Sequence, residues 1–477
     1  MTDTKDTRQV RALDTSLIVF GMIILAAVLT WIVPAGAFDK QVIDVPGAGL
    51  RDVVVPGSYA PLREANPQGV GAVLRAPIRG LIEAADIVAF VLLVGGAFAV
   101  LQATGAIDAG LHRLVGAARR SPTIERLILP FFMILFSLGG AIFGMAEETI
   151  PFVLVFVPLA RRLGYDAVVG VAIPFVGSQA GFAAAFLNPF TIGVAQGIAG
   201  VPLFSGIGVR IVLWFVTTGL AIAFVMAYAA RIKKDPDRSV VRGLGAPEAE
   251  ATVPIPGGVS ERGISARHSA VLATFALGLV GLVVGVTRFG WYIEEISALF
   301  VGVGIAMGLV ARRSPSDIAT SFMDGARALV ATAVIIGLAR GILVVLEDGQ
   351  IIDTLLHAMA GALDGVGPVG SSQGMFAVQT ALNFFVPSGS GQAALTMPLM
   401  APLADLTGLT RQVAVLAYQL GDGFTNLIIP TNPVLMGAIA LAGVPWSRWA
   451  RWILPLQIVF FVLGLATLAI VVGLQLF

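Results

Sequence analysis

The 477-residue chain contains no cysteine. Disulfides, thiolate metal sites and cysteine nucleophiles are therefore excluded. Charge is also scarce: 30 Lys and Arg stand against 29 Asp and Glu, only 12% of the residues, and they cancel to +1. Soluble domains carry about twice that share, and a chain without basic excess gives no footprint for nucleic acid. The three histidines, His112, His268 and His357, are too far apart for metal-ligand spacing. No Gly-x-x-x-x-Gly-Lys run and no catalytic constellation occurs. ATP-driven transport by this chain, enzymatic catalysis and a bound cofactor are therefore not expected.

What is present is apolar. A hydrophobic share of 57% and a mean hydropathy of +0.90 place the chain in a lipid bilayer. Its 56 Gly and 26 Pro lie largely within apolar runs that are continuous rather than alternating. That pattern favours an all-α polytopic membrane protein with broken helices over a membrane β-barrel. Runs long enough for a hydrocarbon core of about 30 Å predict continuous helices near 14–35, 81–103, 207–231, 267–289, 294–312, 327–347 and 450–475. Ala35-Gly36-Ala37 mimics a signal-peptide cleavage site, but the run before it is longer than an h-region, so a retained helix is expected.

Two stretches carry the same punctuation at one spacing. Pro158, Gly164, Asn188 and Pro189 are echoed 244 residues later by Pro402, Gly408, Asn432 and Pro433. Segments 125–161 and 367–405 are interrupted at Gly144-Met145-Ala146-Glu147-Glu148 and Ser388-Gly389-Ser390-Gly391-Gln392, and read as re-entrant hairpins. Segments 165–204 and 411–444 break at the two Asn-Pro pairs and read as discontinuous helices, the pointer to a midplane binding site. Residues 1–231 then form one repeat half with an outer loop 38–79, 232–266 a polar cytoplasmic linker, and 267–477 the second half.

Counting hairpins as zero crossings gives nine crossings, with a cytoplasmic N-terminus if Lys5, Arg8 and Arg11 stay inside. On that count 21 of the 30 basic residues face the cytoplasm and the two halves are inverted. Within loop 38–79, residues 53–59 are compatible with a short strand and turn.

Intramembrane charge marks function. Glu147, Glu148 and Asp422 are the acids expected deep in the membrane, and Arg340 the base. The hairpin glutamates suit a proton, Na⁺ or a substrate amine. Their structural alternative is an ion pair with Arg340, which could instead clamp a carboxylate. Asp422 in Gly421-Asp422-Gly423-Phe424-Thr425-Asn426 has no charged twin, suggesting that the halves hold different ligands; a packing role is the alternative. Asn188, Thr191, Ser388, Gly389, Ser390, Asn426, Thr431 and Asn432 supply polar groups where helices restart. Free N–H groups there suit a substrate carboxylate and free carbonyls a cation, so Na⁺ is placed near Glu147, Asn188, Asp422 and Asn432.

The sequences Gly144–Phe152, Asn188–Thr191 followed by Ala195-Gln196, Pro202–Gly206, Pro387–Gln392 and Gly421–Asn426, with Val55-Pro56-Gly57-Ser58-Tyr59 in the outer loop, resemble the YfcC-like branch of the C4-dicarboxylate anaerobic carrier family. The resemblance covers nearly the whole chain. It implies an ion-transporter-superfamily fold with two inverted repeats, a homodimer and elevator-like motion in the prokaryotic plasma membrane. Members of this branch are often described as basic amino-acid antiporters, whereas the family name implies dicarboxylates. The superfamily's Ser-Asn-Thr hairpin motif is replaced here by Glu147-Glu148 and Ser388-Gly389-Ser390. The leading expectation is a proton- or Na⁺-coupled, or exchanging, secondary transporter of an amino-acid-like organic ion. A C4-dicarboxylate carrier is the second reading, and a non-transporting scaffold or a channel the third.

Overall fold

Runs of apolar residues this long have one way to satisfy their backbone without water, the helix, and the chain takes it nearly throughout. The computed structural model describes residues 15–45, 49–63, 65–243, 265–291, 293–361 and 367–477. The positions of Lys5, Arg8 and Arg11 and most of the expected linker lie outside the described residues.

The N-terminal half begins with α1 (Thr15–Ile32), α2 (Val70–Glu83), α3 (Ala85–Ala103) and α4 (Ala106–Arg120). The first hairpin follows as α5 (Pro122–Phe143) and α6 (Thr149–Arg162). The first broken helix runs through α7 (Ala167–Ala172), α8 (Pro174–Ala183), a π turn at Pro189–Gly193 and α9 (Val194–Ala199), and α10 (Ile207–Lys234) closes the half. After α11 (Ala266–Phe289) the order repeats as α12 (Ile293–Val310), α13 (Pro315–Ala328), α14 (Val330–Asp348) and α15 (Ile352–Gly361). The second hairpin is α16 (Pro368–Phe385) with α17 (Gly389–Leu406), the second broken helix α18 (Arg411–Thr425) with α19 (Pro433–Leu441), and α20 (Trp446–Gly473) ends the chain.

Among the described residues seven helices are long and apolar enough to cross a membrane: Ala85–Ala103, Arg126–Phe143, Ile207–Lys234, Ala266–Gly285, Ile293–Val310, Val330–Asp348 and Trp446–Gly473. Six fall on expected continuous helices. Arg126–Phe143 is the first hairpin arm, which reaches a full span because the chain turns only at Gly144, in the left-handed region at φ 74°. The apolar stretch Val19–Ile32 of α1 is shorter than the other six. The runs expected at 81–103 and 327–347 begin later. Each is preceded by a separate amphipathic helix, α2 or α13, set off at Ala84 or Leu329.

The halves exchange partners. Helix α2 packs on α14 and α13 on α3, while α1 lies on α14 and α12 on α3. The second hairpin arms cross likewise, α6 against α19 and α17 against α9. Within each half the first arm packs on the broken helix, α5 on α8 and α16 on α18, and the two broken helices meet each other, α18 on α8. Close approach needs small residues: a Cβ at Gly423 of α18 would lie within 2.6 Å of Ala183 Cβ.

The loop 38–79 forms the expected strand and turn. Lys40–Val45 pairs antiparallel with Gly49–Val54, from Lys40 opposite Val54 to Val45 opposite Gly49. The loop is tied to the other half, with Phe38 N donating to Asp353 Oδ2 (3.1 Å) and the Tyr59 ring stacked 4.1 Å above His357. At the start of the expected linker, Ser239 Oγ donates to Asp166 Oδ2 (2.7 Å) and Val240 O accepts from Arg448 Nη1 (3.1 Å). This first stretch of the linker is therefore docked against α7 and the start of α20.

Candidate functional site

The two Asn-Pro breaks are solved in the same way. Asn188 Oδ1 accepts from Phe190 N (2.9 Å) and Thr191 N (3.3 Å), and Asn432 Oδ1 accepts from Val434 N (2.8 Å) and Leu435 N (3.2 Å). Each asparagine is the N-cap of its restarting segment. The N–H groups expected to await a substrate carboxylate at these breaks are thus taken by side chains of the chain itself, and so are the Asn oxygens expected near Na⁺.

At the first hairpin tip, a Cβ at Gly144 would come 2.7 Å from the Asn188 amide, so the tip sits directly on the break. Ser178 Oγ donates to Met145 O, and Glu148 Oε2 accepts from Ala146 N (3.0 Å). Glu147 and Glu148 are half-buried. Arg340 does not neutralise them: its Nε lies 3.4 Å from Glu83 Oε2, with the two side chains 33% and 29% exposed. Glu83 ends the separate helix α2, which packs along α14, and that places it beside Arg340.

The second hairpin tip reaches the first break and the helix α18 that leads into the second. Ser388 Oγ caps α17 by accepting from Gly391 N (3.3 Å), and Tyr418 OH donates to Gly389 O (2.6 Å). A Cβ at Gly389 would stand 2.6 Å from Thr191 Cγ2, 3.4 Å from Asp422 Oδ2 and 3.6 Å from Phe182 Cζ. Gly389 and half-buried Ser390 open an 18-residue helix. Their N–H groups have no acceptor within it, because none precedes them.

Asp422 is fully buried in a polar network. Asn383 Nδ2 donates to Asp422 O (3.0 Å) and to Asn426 Oδ1 (2.9 Å), Asn432 Nδ2 donates to the same Asn426 Oδ1 (3.0 Å), and Asn426 Nδ2 reaches Asp422 Oδ1 at 3.4 Å. Asp422 Oδ2 has no partner, nor do the buried Thr191 Oγ1, Thr431 Oγ1 and Asn188 Nδ2. Buried polar atoms are nearly always bonded, since leaving one bare forfeits its hydration. A cluster of bare ones is suited to a ligand that supplies the missing partners. The free Asp422 Oδ2, which faces Gly389, and the free hydroxyl of Thr191, which touches Gly389 through its methyl group, could ligate Na⁺ or accept from an ammonium group.

Asp422, Thr191, Gly389 and Ser390 are therefore brought together, with Asn426 and Asn432 behind Asp422 and Asn188 beneath the first tip. Arg340 belongs elsewhere. Tyr418, Asn383 and Gln419, whose Nε2 donates to Phe182 O (2.6 Å), escape a reading of the sequence. Their only signal is a polar side chain at an inward helical position. The Pro202–Gly206 motif forms a latch between the broken helices: Gln196 Nε2 donates to Ser205 O (3.0 Å) and to Gln412 Oε1 (3.2 Å), and Gln412 Nε2 returns to Ser205 O.

The chain is 37% identical over 484 residues to an Escherichia coli K12 protein named "Putative basic amino acid antiporter YfcC", covering 94% of each. It is 31% identical over 501 residues to a Haemophilus influenzae protein, covering 96% of each. The solved YdaH transporter of Alcanivorax borkumensis aligns over 97% of this chain and 99% of that one, with a TM-score of 0.44 and 16% identity. The model of the C4-dicarboxylate anaerobic carriers matches residues 14–473, which takes in both hairpins and both breaks, and the chain belongs to that family.

Proposed function

We propose that this transporter carries a small amino-acid-like organic ion at the point where the second hairpin tip meets both broken helices. The carrying observation is Asp422 Oδ2, buried, without a partner and 3.4 Å from where a Gly389 Cβ would be. A carboxylate acceptor beside free helix N-terminal N–H groups matches a zwitterion: ammonium on Asp422, carboxylate on Gly389 and Ser390. The name of the E. coli relative, a basic amino acid antiporter, accords with a cationic substrate of the arginine or ornithine kind. Glu147 and Glu148, at the other tip, take the coupling proton or Na⁺, or the side-chain charge of a basic substrate. In this reading the halves run through a prokaryotic plasma membrane in opposite senses, the N-terminus is cytoplasmic, and the working unit is a homodimer.

The second reading, a C4-dicarboxylate carrier, is favoured by the family's description. It requires Asp422 to be protonated or covered by Na⁺ whenever a dianion occupies the crossing, because two carboxylates do not share a buried site. Proteoliposomes loaded with radiolabelled arginine, ornithine, succinate or fumarate, under an imposed proton or Na⁺ gradient or counterflow, separate the two. Saturable exchange of a basic amino acid is expected. Accumulation of dicarboxylate alone would sink the first reading, and absence of all counterflow would sink both in favour of a channel or scaffold.

A further inference from the structure

Arg210 lies one turn into α10 and is fully buried, yet Nε, Nη1 and Nη2 all lack a partner. A long cationic side chain near a helix end ordinarily snorkels to water. This one does not. The next residues on the same face point inward and are bonded: Trp214 Nε1 donates to Ser137 Oγ (2.9 Å), Thr217 Oγ1 donates to Ala180 O (3.0 Å), and Thr218 Oγ1 shares a hydrogen bond with Ser137 Oγ (2.6 Å). The Trp214 ring lies 6.0 Å from that of Phe186, within the first break. Residues three and four apart share a helix face, so Arg210 continues this row between α10 and the first hairpin and broken helix, where every neighbour on the face is satisfied and the guanidinium is not.

A guanidinium without a counter-charge in an apolar interior is held at a cost that an anion removes. Its planar fork, with all three nitrogens free, matches the two oxygens of a carboxylate. We propose that Arg210 is a carboxylate receptor, separate from Asp422 and built into the first half. The inference goes beyond the crossing site and rests on the transport reading only in allowing the carboxylate to belong to a carried solute.

Thermal unfolding of the purified full chain in detergent tests it, with sodium acetate and disodium succinate titrated against sodium chloride at constant ionic strength. Carboxylate is expected to raise the midpoint by a few degrees in the wild type, since a ligand of the folded state stabilises it. Arg210→Met is expected to fold, because apolar replacement of an uncompensated buried charge is tolerated, and to lose the response. Arg210→Lys keeps the charge without the fork and is expected to need about tenfold more carboxylate. A wild type that answers carboxylate no better than chloride overturns the proposal, as does a wild-type response in Arg210→Met. If Arg210→Met does not fold, a wild-type titration in Arg210→Lys overturns it. Loss of the response in Asp422→Asn with its retention in Arg210→Met would place the carboxylate at the crossing instead. Uptake identifies the source: a KM raised about tenfold in Arg210→Lys makes the carboxylate the solute's, and an unchanged KM with a weakened acetate response makes it a free anion.

Discussion

Asn188 and Asn432 do the same work for the backbone in opposite surroundings. Each caps a restarting segment with its Oδ1, and there the likeness stops. Asn432 hands its amide to Asn426, which also receives Asn383 and holds Asp422; Asn188 leaves its amide bare beneath Gly144. At the 244-residue spacing, the places of Asn383, Asp422, Asn426 and Thr431 are filled in the first half by Gly139, Ser178, Phe182 and Leu187. The first half closes its break with packing, the Asn188 cap and scattered bonds from Ser178, Thr217 and Gln419, and carries its acidic pair at the hairpin tip. The device that interrupts the helix is the same in both stretches, while the side chains around it differ, more polar around Asn432 and more apolar around Asn188.

The largest effect expected from breaking this asymmetry is at Asp422. Asparagine there keeps the shape and the bond to Asn426 but removes the charge that would hold an ammonium group or Na⁺. Losing one side of a buried charged contact costs about 2–5 kcal/mol. Transport efficiency, measured as initial uptake into proteoliposomes, is expected to fall about 30-fold or more. Retention of wild-type uptake would remove Asp422 from the site.

Next comes Asn426→Phe, which installs the first half's residue in the second. The phenyl ring deprives Asn383 and Asn432 of their shared acceptor, and each bare donor costs about 1–3 kcal/mol. A loss of stability of about 2–4 kcal/mol is expected in denaturant unfolding. A smaller contrast separates the two caps. Asn188→Ala forfeits an N-cap, about 1 kcal/mol, whereas Asn432→Ala forfeits the cap together with its bond to Asn426, about 1 kcal/mol more. Equal midpoint shifts for the two variants would mean that the network around Asn426 adds nothing to the break.

The residues that cap, kink and turn were legible in the sequence because such work is local: Asn-Pro, Gly144 and Ser388 act on backbone within a few positions of themselves. The spans were legible because length and hydropathy decide them. What meets across elements was not. Arg340 was open to pairing with a hairpin glutamate because 81–103 read as one helix; the stop at Glu83 makes α2 a separate element lying along α14. Arg210 stands near a helix end with no motif around it, and its burial depends on the packing of α10 against α5 and α8. Tyr418 and Asn383 carry no motif and became visible only where they touch Gly389 and Asp422.

The finest test lies at the first half's counterpart of Asp422. Ser178 is fully buried, and its hydroxyl donates to Met145 O at the first hairpin tip. If the two halves have parted as their networks indicate, Ser178 is a fastener and Asp422 a ligand. Ser178→Ala then costs about 1 kcal/mol, the net worth of one hydrogen bond, read as a small drop in the denaturation midpoint, with uptake within about twofold of wild type. That twofold corresponds to less than about 0.5 kcal/mol in the transport step, well below what the loss of Asp422 is expected to produce. Should Ser178→Ala instead abolish uptake while the fold stays intact, the first break would be as much a part of the binding centre as the second. The bare amide of Asn188 beside it would then be the next group to substitute.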